Sequence, residues 1–249
     1  MKGLGRWLVL VLLAGLALQL YFFARIALMT VVNPESTAFQ RSEAWGVAQN
    51  TDAMKWRQQW VPYAQISDHL KRAIIASEDA SFIVHEGVDM GALEKAWEKN
   101  TQAEERAAQS VNRLSERKSS TSAVKPPKII GGSTITQQLA KNLFLSGERT
   151  LVRKGQELLL TLMLEALLDK QRILEIYLNN VEWGEGVFGA EAAAQYYFHK
   201  PAARLSALEA ARLAVMLPRP KYFETHLNSG YLASRARTIT ARMGGVEIP

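Results

Sequence analysis

The sequence predicts a mainly α protein: one helical domain preceded by a single N-terminal transmembrane helix. Three observations carry that expectation. The run WLVLVLLAGLALQLYFFA, residues 7–24, contains Gln19 as its only clearly polar residue. Beyond it, apolar residues recur at helical spacing between capping residues, with no convincing period-2 strand pattern and no internal repeat. The composition, 48% hydrophobic and 22% charged over 249 residues, is a normal globular mix long enough for one good-sized domain. It excludes a disordered, collagen-like or low-complexity chain.

At about 1.5 Å per residue the apolar run reaches about 27 Å, close to the roughly 30 Å of a bilayer core. It is apolar all round, which separates it from an amphipathic core helix. Ile26 to Val32 extends it past Arg25, which can snorkel. Lys2 and Arg6 precede it, so residues 1–6 are expected as a cytoplasmic tail and residues 7–32 as an anchor. Gly15-Leu16-Ala17 is a poor signal cleavage site, because the apolar run continues past it.

Residues 33–62 read as a mixed connector with Trp45, Trp56 and Trp60 as anchors, and residues 63–249 as the domain. Ser67 or Asp68 caps a helix through Ser77. Asp89 caps another to about Lys99, with Met90, Leu93, Ala96 and Trp97 at helical spacing. Residues 100–128 contain few large apolar residues, a Ser/Thr cluster and a Pro pair, and are expected as a flexible insertion, part of it a frayed helix. Ser133 or Thr134 then caps a helix to about Phe144, Thr134 and Gln137 having capping-box spacing. Helices follow over about 151–168, from Asp169 to Leu178 and from Gly189 to Phe198. Ser206 and Glu209 open one to Met216, which Pro218 and Pro220 stop. A last helix covers about 231–243.

Much chemistry is excluded. There is no cysteine, hence no disulfide framework, thiolate zinc site or cysteine nucleophile. The four histidines are scattered, and HExxH, GxxxxGK[ST] and GxSxG are absent. Ser122-Ala123-Val124-Lys125 matches SxxK by chance, in the insertion and without a following KTG. The net charge of +6 and pI near 9.5 suit an anionic partner. Nucleic acid is not expected as that partner, because the anchor points the domain outward and no binding motif is present.

Three runs concentrate polar chemistry. Glu78 and Asp79 end an apolar helix, where the macrodipole disfavours acids. Phe82, His85 and Gly87 follow closely. In GGSTITQQLAKN, residues 131–142, glycines and hydroxyls lead into a helix N-terminus that attracts anions. Gln138 and Lys141 share a face there, with Asn142 beside them. Arg153, Glu157, Thr161 and Glu165 draw one polar stripe down an apolar helix, either a solvated face or the lining of a groove. Arg149 adds positive charge one turn earlier.

These runs resemble the ordered motifs of the peptidoglycan glycosyltransferases, glycosyltransferase family fifty-one. EDxxFxxHxG falls on Glu78, Asp79, Phe82, His85 and Gly87, and GGSTITQQxxKN on residues 131–142. RKxxE falls on Arg153, Lys154 and Glu157. KxxILExYLN falls on Lys170, Ile173, Leu174, Glu175, Tyr177, Leu178 and Asn179. The fifth motif covers 189–200, with His199 where the family usually has glycine. The long insertion is a second departure. The resemblance spans about residues 63–220 and is to the monofunctional, proteobacterial form, there being no penicillin-binding domain.

The resemblance implies a lysozyme-like helical glycosyltransferase domain in the periplasm, held at the bacterial inner membrane. It implies polymerisation of lipid II into β-1,4 glycan strands, with inversion and loss of undecaprenyl pyrophosphate, and sensitivity to moenomycin. Partners would be lipid II, the lipid-linked nascent glycan, the membrane and other cell-wall synthesis proteins. The residue types fit. A sugar hydroxyl needs a carboxylate base, expected to be Glu78. The leaving pyrophosphate needs positive charge, expected from Lys141, Arg149 and Arg153 with help from Ser133, Thr134, Gln138 and Asn142. Glu157 would orient those cations or assist at the donor side. Asp79, Phe82 and His85 complete the expected site. No cofactor is required, and no metal cluster is visible; magnesium or another divalent cation could neutralise the pyrophosphate. Leu143, Phe144 and Leu145 either dip into the membrane interface or pack in the core. The rivals are a glycan-cleaving muramidase or lytic transglycosylase, and a non-catalytic membrane-anchored scaffold.

Overall fold

The computed structural model describes residues 2–50, 56–116, 132–145 and 150–249. Arg149, Gly131 and the Ser/Thr cluster and Pro pair of the insertion lie outside them.

Helix α1, Lys2–Leu28, is long and apolar enough over Gly3–Leu28 to cross a membrane. It begins earlier than the apolar run alone suggests. Its last turn is docked on the domain: Ile26 and Met29 are buried in the core. Arg172 donates to Met29 O (2.8 Å) and Val32 O (3.2 Å), carbonyls of the turn that follows the helix.

The connector contains a helix that its mixed composition does not announce, α2, Ala38–Asn50. Thr37 and Gln40 cap it reciprocally, Gln40 N to Thr37 Oγ1 at 3.0 Å and Thr37 N to Gln40 Oε1 at 2.8 Å. Strand β1, Arg57–Gln58, follows. Ser67 caps α3, Asp68–Glu78.

Helix α4 runs Met90–Glu116, well past the expected end near Lys99. Residues 100–116, NTQAEERAAQSVNRLSE, have only Val111 and Leu114 as large apolar groups and are rich in Ala, Glu, Gln and Arg. These lose little side-chain freedom in a helix. The sparse apolar pattern goes with exposure over residues 101–110, most of which face solvent, and not with loss of helix.

The remaining helices sit close to their expected bounds: α5, Ile135–Phe144; α6, Leu151–Leu167; α7, Lys170–Asn180. The capping box at Thr134 and Gln137 is complete, and Asp169 caps α7. After α7 come β2, Glu182–Gly184, and β3, Val187–Phe188. β3 lies parallel to β1 and antiparallel to β2, in the order β1-β3-β2. At two or three residues each, they are too short for alternation to show. Then follow α8, Ala190–Phe198; α9, Ala207–Met216, with its Ser206–Glu209 capping box; α10, Pro220–Glu224; and α11, Gly230–Arg242.

One layer packs α3, α9 and α11 together; the other packs α5, α6 and α7, with α1 against α6. Leu70, Ile74, Leu139, Leu160, Leu174, Tyr177 and Trp183 fill the core between them. Leu143 is buried in that core, and Phe144 meets Phe22 of α1 edge-on at 5.3 Å. Core packing therefore claims Leu143, and Phe144 is held against the anchor.

His199 ends α8 in the left-handed region, φ 55° and ψ 37°, with its N–H on Gln195 O at 3.1 Å. That is the conformation glycine adopts without steric cost. A Cβ there costs about 1–2 kcal/mol, and glycine's larger unfolded-state entropy returns part of it. His199→Gly should stabilise the fold by about 0.5–1 kcal/mol, read as a higher midpoint in urea. A lower midpoint would show that the imidazole makes a contact worth more than the strain.

Candidate active site

Glu78 ends α3 and is half-buried. Gln138 Nε2 on α5 donates to its Oε2 at 3.1 Å, and Ser77 Oγ to its Oε1 at 3.3 Å. Gln138 is itself aimed by Tyr177, whose hydroxyl donates to Gln138 Oε1 at 2.8 Å. Burial pushes the Glu78 carboxyl above the ordinary carboxylate range; the Gln138 and Ser77 bonds pull the other way, and Asp79 adds to the rise.

Two clefts meet at this residue. The first, about 760 Å³, is lined by Glu78, Ser133, Gln138, Lys141, Asn142, Arg153, Lys154 and Glu157, with Phe39, Ser42 and Glu43 of α2 on the far wall. The second, about 690 Å³, is lined by Glu78, Asp79, Ser81, Ser133, Thr134, Lys95, Lys99 and Arg242. Ser77, Glu78 and Ser133 belong to both.

The stripe on α6 is not a solvated face. Glu157 is 4% exposed and Thr161 fully buried. Arg153 Nη1 reaches Glu157 Oε2 at 2.8 Å, and Lys154 Nζ bonds Glu157 Oε1. The buried Nε of Arg153 has no partner among the described residues. It is a donor suited to an anionic oxygen at the cleft. Deeper down, Glu165 Oε1 accepts from Thr136 Oγ1 (2.5 Å) and Lys170 Nζ (2.8 Å).

Asp79 follows Glu78 on the wall of the second cleft, and Phe82 and His85 come next in the chain. Asp79 Oδ1 takes the His85 Nε2 proton at 2.8 Å, and its Oδ2 takes the Ile135 N–H at 3.0 Å. The bond to Ile135 places a carboxylate at the N-terminus of α5, where the macrodipole favours it, and ties α3 to α5. His85 Nδ1 accepts from Gly87 N at 3.1 Å, so its other nitrogen carries the donated proton. Phe82 is fully buried, with Lys170 Nζ 4.6 Å above its ring, so substrate contact by Phe82 is corrected to core support. Thr134 is likewise engaged: its hydroxyl donates to Gly87 O at 2.6 Å and accepts from Gln137 N. Gly87 needs to be glycine: φ is +85°, and a Cβ would stand 2.7 Å from Thr161 Cγ2.

The structure thus gathers Glu78, Ser133, Gln138, Lys141, Asn142, Arg153 and Glu157 on one cleft. Lys154 and Tyr177 stand in the third and fourth motifs without a role assigned from sequence, and Lys95, Lys99 and Arg242 were not singled out. Lys154 and Tyr177 were legible in those motifs; Lys95, Lys99 and Arg242 come from segments with no motif. Among the described residues there is no group of three or more His, Asp or Glu placed to hold a metal. With Glu157 engaged by two cations, the first cleft suits a phosphate better than a resident cation.

Replacing Gln138 should move the acid limb of activity. Its amide favours the ionised Glu78, so Gln138→Leu should raise the Glu78 pKa and shift that limb to higher pH. A pH–rate profile with an unmoved or lower acid limb would contradict the assignment.

A half-buried carboxylate with raised basicity, between a cation-lined cleft and a second cleft, is the equipment of a group-transfer enzyme acting on an anionic substrate. Comparison with known proteins gives its family. The Transglycosylase family model matches residues 46–244, and the chain belongs to that family. Among curated relatives, the biosynthetic peptidoglycan transglycosylase of Burkholderia thailandensis is 53% identical over 252 aligned residues, covering 100% of this chain and 90% of that protein. The protein of the same name from Burkholderia multivorans is 53% identical, covering 95% and 87%. That of Paraburkholderia xenovorans is 51% identical, covering 98% and 94%.

Proposed function

We propose that this chain is a membrane-anchored peptidoglycan transglycosylase that polymerises glycan strands from lipid II at the outer face of the bacterial inner membrane. Glu78 takes the proton from the 4-hydroxyl of the acceptor sugar. The freed oxygen attacks C1 of the lipid-linked donor chain from the face opposite its phosphate. The C1–O bond to phosphate breaks, undecaprenyl pyrophosphate leaves with the electron pair, and the α-linked donor becomes a β-1,4 bond. The observation that carries this reading is Glu78 at the junction of two clefts, one of them lined by Lys141, Arg153 and Lys154.

The donor pyrophosphate lies in that first cleft, against Lys141 and Arg153. Glu157 positions Arg153 and Lys154. Ser133, Gln138 and Asn142 supply hydrogen bonds. A divalent cation, where present, would travel with the pyrophosphate. Glycan cleavage is disfavoured, because protonating a sugar leaving group calls for an acid and makes this cation cluster superfluous. A dead scaffold is disfavoured by the intact Glu78–Gln138–Tyr177 chain.

The 4-hydroxyl is the direct test. Lipid II with hydrogen in place of that hydroxyl can donate but cannot accept. It should give no polymer alone. Polymer from the deoxy substrate would refute the step.

A further inference from the structure

Two acids share one lysine at the edge of the first cleft, and the buried acid plays no part in the transfer step. Glu182 on β2 is 8% exposed, and its Oε1 has no hydrogen-bond partner among the described residues. Lys221 Nζ on α10 stands 3.8 Å from that oxygen, beyond hydrogen-bond reach, and bonds Glu43 Oε2 on α2 instead. Glu43 lies on the far wall of the cleft with Phe39 and Ser42. It is the only acid of α2, and its bond to Lys221 is the only ion pair that α2 makes among the described residues. Otherwise α2 rests on α5 and on the Phe39 ring, edge-on to Phe188 at 6.4 Å.

The groups around Glu182 set what its proton does. Lys221 and Glu224 act on it from α10, Glu43 from α2 and Glu185 from the turn after β2. The Tyr197 hydroxyl of α8 donates to Trp183 O at 2.7 Å and is kept protonated by burial. Arg57 of β1 lies over the Tyr196 ring. Burial pushes the Glu182 carboxyl up to about 7; Lys221 pulls it down, and Glu43, Glu224 and Glu185 add to the rise. Coupling is reciprocal. Glu43 favours the proton on Glu182, so loss of that proton disfavours Glu43 where it stands. Ionised Glu182 also competes for Lys221. Because β2 and α10 pack together, the change acts on α2. Below about pH 7, Lys221 belongs to Glu43, holds α2 and compensates an acid in a cleft built for an anion. Above it, α2 loosens and the Glu43 charge is left to repel the substrate. An exposed Lys–Glu pair alone contributes little; the buried third member makes this one answer to a single proton.

We propose that Lys221 is a positioning residue of the first cleft and that Glu182 controls it: protonated Glu182 leaves Lys221 to Glu43 and latches α2 on the cleft, and ionised Glu182 draws Lys221 away and releases α2. The effect on substrate rests on the reading of that cleft as the donor pyrophosphate site; the latch itself does not.

Two measurements on the full-length, detergent-solubilised protein test this. The first is KM for lipid II from initial rates at about pH 6 and about pH 8.5, on either side of the Glu182 titration. Wild-type KM should rise several-fold with pH. Glu182→Gln fixes the neutral form, so its KM should stay low at both, whatever Glu78 contributes to kcat. Lys221→Met should give a high KM at both, and Lys221→Arg should restore the low value at the lower pH. The second reads the latch without substrate. Spin labels at Trp45→Cys on α2 and Asn228→Cys beyond α10, both exposed positions in a chain without cysteine, should report one distance at the lower pH and a broadened distribution at the higher. In Glu182→Gln the single distance should persist. A Glu182→Gln protein that keeps the wild-type pH dependence of KM overturns the proposal, as does Lys221→Met with wild-type KM. Label distances that ignore pH overturn it whether or not polymer forms. Distances that respond as stated, in a protein that makes no polymer, uphold the latch and remove the donor reading of the cleft.

Discussion

Glu78→Gln should lower kcat for glycan polymerisation by about 10²- to 10⁴-fold, the usual worth of a positioned general base. The substitution keeps the shape and the acceptor for Gln138 Nε2 but removes the basic oxygen. Stability should not fall. Burial raises the folded-state pKa of Glu78, so the fold loses stability as pH climbs from the ordinary glutamate range to that raised value. Glutamine has no such cost, and at pH 7.5 the variant should melt at or above the wild-type temperature. Initial rates on lipid II and a melting curve decide it together. A stable variant with near wild-type kcat would remove Glu78 from the base role.

Arg153→Met should lower kcat/KM by about 10²- to 10³-fold, the scale for losing one preorganised donor to developing charge. The argument is geometric. Glu157 is buried and holds Arg153 by one Nη, leaving the guanidinium's buried Nε without a partner at the cleft among the described residues. Arg153→Lys should fall between, because lysine supplies the charge without the planar fork. Rates over a range of lipid II concentrations separate the cases. A rise in KM alone, with kcat intact, would mean that Arg153 binds the ground state and not the departing pyrophosphate.

Much of this site was legible because its signals are local. The Thr134–Gln137 and Ser206–Glu209 boxes lie within single turns, and the structure forms both. The four-residue rhythm of Arg153, Glu157, Thr161 and Glu165 marked a special face; only tertiary packing reveals that it points inward. What escaped is long-range or very short. Strand β1 pairs with a segment about 130 residues further on, and all three strands are too brief for a period. Tyr177 reaches Gln138 across 39 residues, and Gln19 reaches Gln156 across 137. The full length of α4 escaped, because its second half, built of strong helix formers, lacks the apolar stripe that sequence reading weighs most. Asp79, Phe82 and His85 lie close to Glu78 as their spacing expects; Phe82 is buried in the core and His85 is paired with Asp79.

The most direct test incubates the full-length, detergent-solubilised protein with labelled lipid II, then resolves the products by size. A ladder of long glycan strands with release of polyprenyl pyrophosphate is the predicted result, insensitive to penicillin and blocked by moenomycin. No polymer from folded protein, together with soluble fragments from purified sacculi, would contradict it and make the enzyme one that cuts glycan.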